Sequence, residues 1–282
     1  MTLTVFLIVL FAAALHASWN AFVKSTGDKV VSVTAISLGH APLGLLAMLF
    51  VPVPAPESWP YLAVSVAAHV GYQLCLILIY RLGDYSYVYP IARGSGPAIV
   101  TIFSMVFLGV QFGVSEIAAI ALVITGIFCL TFVRQNNGLR NPRAVLAALL
   151  TGCFIAAYSL LDGLGAREAG TAVGFIAWLT VINALVFAVV IGITNRGTLT
   201  KVATDGKRAL LIGGTASVLA YVLVVWAMTQ APIALVTTLR ETSTVFALFI
   251  GVFVLKEPIS PMKVVAVALT MAGVLLLRLG EG

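Results

Sequence analysis

Arg240 and Glu241 are adjacent inside an apolar stretch that runs from Ala231 to Leu255, and Arg93 lies inside another, from Ser86 to Gly109. A charged side chain in a hydrocarbon-facing span costs at least a few kcal/mol on insertion scales, so charges there point to a polar interior, a gate or a solute path. Two roles suit the arginines: gate or helix anchor. The chemistry open to the carboxylate is different, because a buried carboxyl group can carry a coupled proton. Glu241 points about 100° away from Arg240 on a helix, and neighbours in sequence do not face each other. Asp162 is therefore the expected partner of Arg240. His16 is a further candidate to titrate in a cavity.

Aromatic and amide side chains extend the set. Trp19, Tyr72, Tyr158 and Tyr221 sit several residues inside apolar runs, and Tyr89 sits near the start of one. Ring faces of this kind hold aromatic or cationic solutes. Gln73 is the polar companion expected to bind solute, whereas Asn183 is expected to bond helix to helix. Around Arg93 the chain reads Tyr89-Pro90-Ile91-Ala92-Arg93-Gly94-Ser95-Gly96-Pro97. Pro90 and Pro97 lack N–H donors, and Gly94 and Gly96 are conformationally permissive. A break or kink is expected there, with these four residues as a hinge; backbone groups freed at depth are tolerated where they face protein or a wet cavity.

These residues must be held by membrane helices. The chain has 282 residues, 61% hydrophobic and 9% charged, against about 45–50% and about 25% for a soluble domain. Ten apolar runs have spanning length: 3–23, 31–52, 59–80, 86–109, 114–133, 143–164, 171–194, 209–229, 231–254 and 261–279. A span needs about 20 apolar residues, and in lipid a helix satisfies its own backbone groups. The first run has no basic segment before it and reads as a retained helix rather than a cleaved signal. Cys75, Cys129 and Cys153 fall in apolar runs and read as small buried hydrophobes. Connections are too short for a soluble catalytic or nucleotide-binding domain. No phosphate-loop or HExxH spacing occurs, so neither cofactor nor metal is expected. A partial likeness to an intramembrane serine protease motif around Ser95 lacks the glycine two residues earlier, and no histidine follows on a later span to act as base.

The basic residues number 16 for a net charge of +6. Twelve of them fall in the odd-numbered connections, and only Arg167 and Arg278 fall in the even ones or at the termini. The positive-inside rule then sets the odd connections in the cytoplasm and both termini outside. The charge suits anionic headgroups, so no nucleic acid partner is expected.

An offset of 147 residues, 240 less 93, lays 93–130 on 240–277 without a gap. It matches Arg93 with Arg240, Gly126 with Gly273 and five further identical pairs across 38 positions. Spans four and five fall on spans nine and ten. Two halves of five helices follow, 1–135 and 136–282. Because five is odd, the second half enters the membrane from the opposite side. The expected fold is all-α, ten transmembrane helices in two inverted five-helix repeats. Transporters are often built this way, with the solute near the midplane. Arg93 lies about seven residues, roughly 10 Å, from the odd face, and Arg240 about nine, roughly 14 Å, from the even face. Each arginine is therefore expected at its own gate of an alternating-access cycle.

The segments Leu15–Lys24, Tyr158–Gly163 and Ala231–Pro258, together with the span count, resemble the EamA-type ten-helix transporters of the drug/metabolite transporter superfamily. The most specific part is the ninth span, ending Val254-Leu255-Lys256-Glu257-Pro258. The first half has Val110-Gln111 where the second has Glu257-Pro258, so that signature is kept in one half only. The resemblance implies secondary transport in a bacterial-type inner membrane, commonly export of amino acids, other metabolites or drugs. It implies a central cavity lined by the first, third and fourth helices of each half. A small-molecule substrate, the lipid bilayer and a coupled proton are the expected partners, and a monomer or weak dimer the expected state. The alternative substrate is a drug or organic cation on the same fold.

Overall fold

The computed structural model describes residues 1–24, 28–82, 85–132, 142–254, 256 and 259–279. The Glu257-Pro258 end of the ninth span and the 133–141 connection lie outside the described residues. Every regular element described is a helix. Seven segments are long and apolar enough to cross a membrane among the described residues: Lys29–Met48, Pro56–Leu82, Pro142–Glu168, Ala172–Thr194, Ala209–Gln230, Ile233–Phe253 and Pro261–Leu279. Leu3–Trp19 and Val114–Cys129 are apolar but shorter. The protein is a multi-pass, all-helical membrane protein.

The helices are α1 (Leu3–Lys24), α2 (Lys29–Gly39), α3 (Ala41–Met48), α4 (Trp59–Leu82), α5 (Tyr85–Val106), α6 (Val114–Cys129) and α7 (Pro142–Glu168). They continue as α8 (Ala172–Thr194), α9 (Thr198–Thr204), α10 (Gly214–Gln230), α11 (Ile233–Arg240), α12 (Ser243–Phe253) and α13 (Pro261–Leu279). Start signals are local. The Asp28 carboxylate accepts from the backbone N–H of Val30 at 3.0 Å and of Val31 at 3.3 Å, which caps α2. Thr171 caps α8 by accepting from Gly174 N–H at 3.1 Å. Such caps satisfy donors that have no partner inside the helix. Arg167, on α7, donates to the carbonyls of Met228 (2.8 Å) and Ala231 (2.9 Å), closing the C-terminal end of α10. A cation there also meets the negative end of the helix dipole.

Three apolar runs are not single regular helices. The second divides at His40, with Pro42 in the first turn of α3. The eighth begins with a π-helical turn, Ala209–Gly213, before α10. The ninth divides between Arg240 and Ser243. There Glu241 N–H bonds Thr238 O and Thr242 N–H bonds Leu239 O, both at 3.1 Å. These are i→i−3 bonds, the tighter 3₁₀ pattern that often marks a mid-helix hinge. Thr242 Oγ1 also donates to Leu239 O at 2.8 Å, a side-chain bond that competes with the helix ladder. In contrast, α5 continues through Pro90 and Pro97. No break interrupts the helix there, and one lies in the ninth span. Glycine explains why α5 can stay whole and close to its neighbours. A Cβ on Gly94 would meet Ile127 and Phe128 at 3.3–3.4 Å, and one on Gly96 would meet Ile155 Cγ2 at 2.7 Å. Cys153 also departs from expectation, since it is exposed on the outside of α7.

Packing pairs α4 and α5 with α7, α10 and α12 with α1, α3 with α8, and α6 with α13. The α6–α13 contact is made through glycine. A Cβ on Gly126 would lie 2.6 Å from Thr270 Oγ1, and one on Gly273 would lie 2.7 Å from Val123 Cγ2 and from Ala119 O. The backbones approach because no side chain intervenes, the usual device between membrane helices. Gly126→Val and Gly273→Val should therefore each destabilise by about 1–3 kcal/mol, the usual cost of overpacking, read as a fall in melting temperature in detergent. Gly192→Ala, whose Cβ would touch only Leu199 Cδ1 at 3.6 Å, is the control and should melt like the parent. Equal melting of all three variants would show that α6 and α13 do not pack in this way.

Candidate functional site

Helical spacing brings separate residues to one wall. On α4, His69, Tyr72, Gln73 and Tyr80 follow i, i+3, i+4 and i+11, and all line one internal cavity of about 180 Å³. Residues three and four apart share a helix face. The same rule puts His16 and Trp19 of α1 on the cavity, Tyr89 and Arg93 of α5, and Ser217, Ala220, Tyr221 and Val224 of α10. Tyr158 enters from α7, Asn183 from α8 and Arg240 from the last turn of α11. Every aromatic and amide residue singled out in the sequence as solute-binding is on this wall. Lys29, Tyr80 and Tyr89 lie where α2 starts, α4 ends and α5 starts, so the cavity extends toward the connections at 24–29 and 81–85.

The charges meet behind that wall. Arg93 Nε is 2.9 Å from Glu241 Oε2, and Arg93 Nη2 donates to Ser243 Oγ at 3.2 Å. Arg240 Nη2 lies 3.7 Å from Glu241 Oε1, which is an ion pair too long for a hydrogen bond. All three are buried, Glu241 completely. The expectation of two arginines at two separate gates is thus corrected. Long side chains from α5 and α11 reach one carboxylate, and depth along the axis had set only their Cα atoms apart. Glu241 is occupied as the counter-ion of Arg93, a bond between spans 148 residues apart in sequence.

Asp162 is likewise not the partner of Arg240. It is fully buried and accepts from the hydroxyls of Ser65 and Tyr221. Its Oδ2 lies 2.9 Å from His69 Nε2. The physical reason is register on α4, where Ser65 and His69 are one turn apart and both face α7. His69 stacks on Tyr158 with ring centroids 4.3 Å apart and meets Tyr221 edge-on at 5.6 Å. Tyr72 and Tyr158 form a further edge contact at 5.4 Å, and His16 and Trp19 another at 5.0 Å. Carboxylate, imidazole and phenols form one aromatic and polar cluster whose exposed side is the cavity.

Sequence reasoning missed His69 and His40, both on the cavity wall. The signal for His69 was present: Ser65, His69, Tyr72 and Gln73 make a polar stripe at helical spacing. Asn183 has the helix-bonding contact expected of it, Nδ2 to Ser37 Oγ at 3.5 Å, but it also lines the cavity. Ser95 donates to Ile91 O (2.8 Å) and Ala92 O (3.2 Å) of its own helix, so its hydroxyl is turned back on the backbone and away from any nucleophilic role.

Residues 142–279 match the model of the EamA-like transporter family. The match spans α7 to α13. A crystal structure of a protein 17% identical in sequence superposes over 98% of this chain and 96% of its own, with a TM-score of 0.76. At that identity the likeness is one of fold, and it covers both halves. No curated protein sequence matches the chain. The expected kinship with EamA-type membrane transporters is met.

The Arg93–Glu241 pair makes a direct prediction. Removing one member of a buried pair typically costs about 3–5 kcal/mol, because the other charge is left unpaired. Glu241→Gln should lower stability by that order in denaturant titrations in detergent. The double variant Arg93→Gln/Glu241→Gln should recover part of the loss, since neither member is left unpaired. A Glu241→Gln protein as stable as the parent would rule out the pair as a structural tie.

Proposed function

We propose that this chain is a secondary transporter that exports small metabolites, amino acids foremost and aromatic or hydrophobic ones in particular. It works by alternating access around the cavity between two inverted five-helix repeats, 1–135 and 136–282. The observation that carries the reading is the cavity in which Arg93, Arg240, Trp19 and five tyrosines from four helices converge. The match of residues 142–279 to a transporter family supports it.

The packing supports the repeats. α1 packs on α10 and α12, and α7 packs on α4 and α5. Exchange the halves, α1 for α7, α10 for α4 and the α11–α12 span for α5, and each contact becomes the other. α3 with α8 and α6 with α13 exchange into themselves. At residue level, Gly126 faces Thr270 while Gly273 faces Val123, and adding 147 to 126 and 123 gives 273 and 270. Reciprocal contact of this kind is what a twofold relation requires. It favours ten spans over the seven that meet length and apolarity alone.

Size and charge favour metabolites over drugs. The cavity of about 180 Å³ is below the roughly 300–1,000 Å³ of drug-sized sites. Its wall carries Lys29, Arg93 and Arg240 and, among the described residues, no aspartate or glutamate, which disfavours an organic cation. The loop charges favour odd connections in the cytoplasm, so the cavity extends toward the side from which an exporter loads. For a coupled proton, the His69–Asp162 pair is the better candidate than Glu241. It is faced by Ser65 on its own helix, Tyr158 on α7 and Tyr221 on α10, and His69 lines the cavity.

Counterflow in proteoliposomes tests the reading, with a panel of amino acids and organic cations and with or without a pH gradient. Labelled amino acid should accumulate several-fold above protein-free vesicles. Exchange of organic cations alone would favour the alternative substrate class, and exchange of nothing in the panel would sink the transporter reading.

A further inference from the structure

We infer that Arg240 is a carboxylate-receiving subsite of this cavity, so that the solutes it admits are organic carboxylates, amino acids included, and not simple amines. The inference rests on the transporter reading and narrows it.

Arg240 is 3% exposed, lines the cavity, and has two buried nitrogens, Nε and Nη2, without a hydrogen-bond partner. Buried donors without acceptors are rare in proteins because each forfeits its hydration. Nε and Nη2 are neighbours on one edge of the guanidinium. That edge presents two parallel N–H groups, the geometry that pairs with both oxygens of a carboxylate.

The nearest carboxylate does not fill it. Glu241 commits Oε2 to Arg93 at 2.9 Å, and its Oε1, also without a hydrogen-bond partner, stands off at 3.7 Å from Arg240 Nη2. The three side chains together carry one positive charge in excess, and among the described residues the cavity wall supplies no carboxylate to balance it. Arg93, by contrast, is paired with Glu241 and Ser243. The second arginine is thus held ready for an acceptor from outside. The rings of Tyr158 and Tyr221 on the same wall offer apolar surface for the rest of such a solute.

The test is binding to the purified full chain in detergent, followed by intrinsic tryptophan fluorescence, since Trp19 lines the cavity. Three probes share one ring: 3-phenylpropionate, its amide 3-phenylpropionamide, and phenethylamine. The parent should bind the carboxylate at least tenfold more tightly than the amide or the amine. Arg240→Gln should abolish that preference, and Arg240→Lys, which keeps the charge but loses the fork, should retain part of it. Both variants should elute as the parent does on gel filtration, because Arg93 still pairs with Glu241. Equal binding of amide and carboxylate by the parent, or no carboxylate binding at millimolar concentration, overturns the subsite. Counterflow separates the two readings: carboxylate binding without exchange of any solute defeats transport and leaves the subsite, whereas exchange of amines alone defeats the subsite and leaves transport.

Discussion

Charge is expensive in the middle of a protein surrounded by hydrocarbon, and it persists there only when paired. Arg93, Glu241 and Arg240 meet this condition jointly. The Arg93–Glu241 bond joins α5 to the break between α11 and α12, and Ser243 gives α5 a second hold on the start of α12. Much else follows from that tie. α5 and the α11–α12 span must lie close enough for side chains to meet. The remaining guanidinium, Arg240, lies only at ion-pair distance from the carboxylate that bonds Arg93. The glycines of α5 let α6 and α7 approach from behind, so that the helix bearing Arg93 is held from both sides.

The second polar cluster obeys the same constraint with different chemistry. Asp162 is fully buried, and hydroxyls and an imidazole surround it in place of arginine. Three helices meet at this carboxylate: α4, α7 and α10. Where the arginine cluster ties the walls of the cavity to the α11–α12 span, the aspartate cluster ties together the walls themselves. Its outer members are aromatic, so the polar interior is closed off by rings and not by further charge.

Much of the fold was legible because bilayer thickness writes itself into the length of apolar runs. The ten runs and the described helices coincide to within a few residues at most ends. The cavity-lining aromatics were legible too, because a tyrosine or glutamine deep in an apolar run stands out. What escaped was geometry between helices. Nothing in one sequence says that Arg93 reaches Glu241, or that Asp162 turns to Ser65, His69 and Tyr221 instead of to an arginine. The break at Glu241–Thr242 escaped for a different reason. Proline and glycine mark α5 for interruption, yet α5 is whole, since close packing supports a helix that lacks two backbone donors. The ninth span has neither residue at its break. Its run of threonine and serine, Thr237 to Thr244, supplies hydroxyls that bond the backbone locally, a weaker mark than proline in any linear reading.

That break has an electrostatic consequence. A continuous helix shows its partial charges only at its ends, near the headgroups. Division at residues 241–242 brings two more ends to mid-span: the negative carbonyl end of α11 and the positive N–H end of α12. Arg240 stands in the last turn of the first and Glu241 at the threshold of the second, so each ion faces the pole of opposite sign. α5, unbroken, has no such poles to offer Arg93, and it is this arginine that depends on a carboxylate from another span. The asymmetry between the two arginines, one fully paired and one open, thus begins in the backbone.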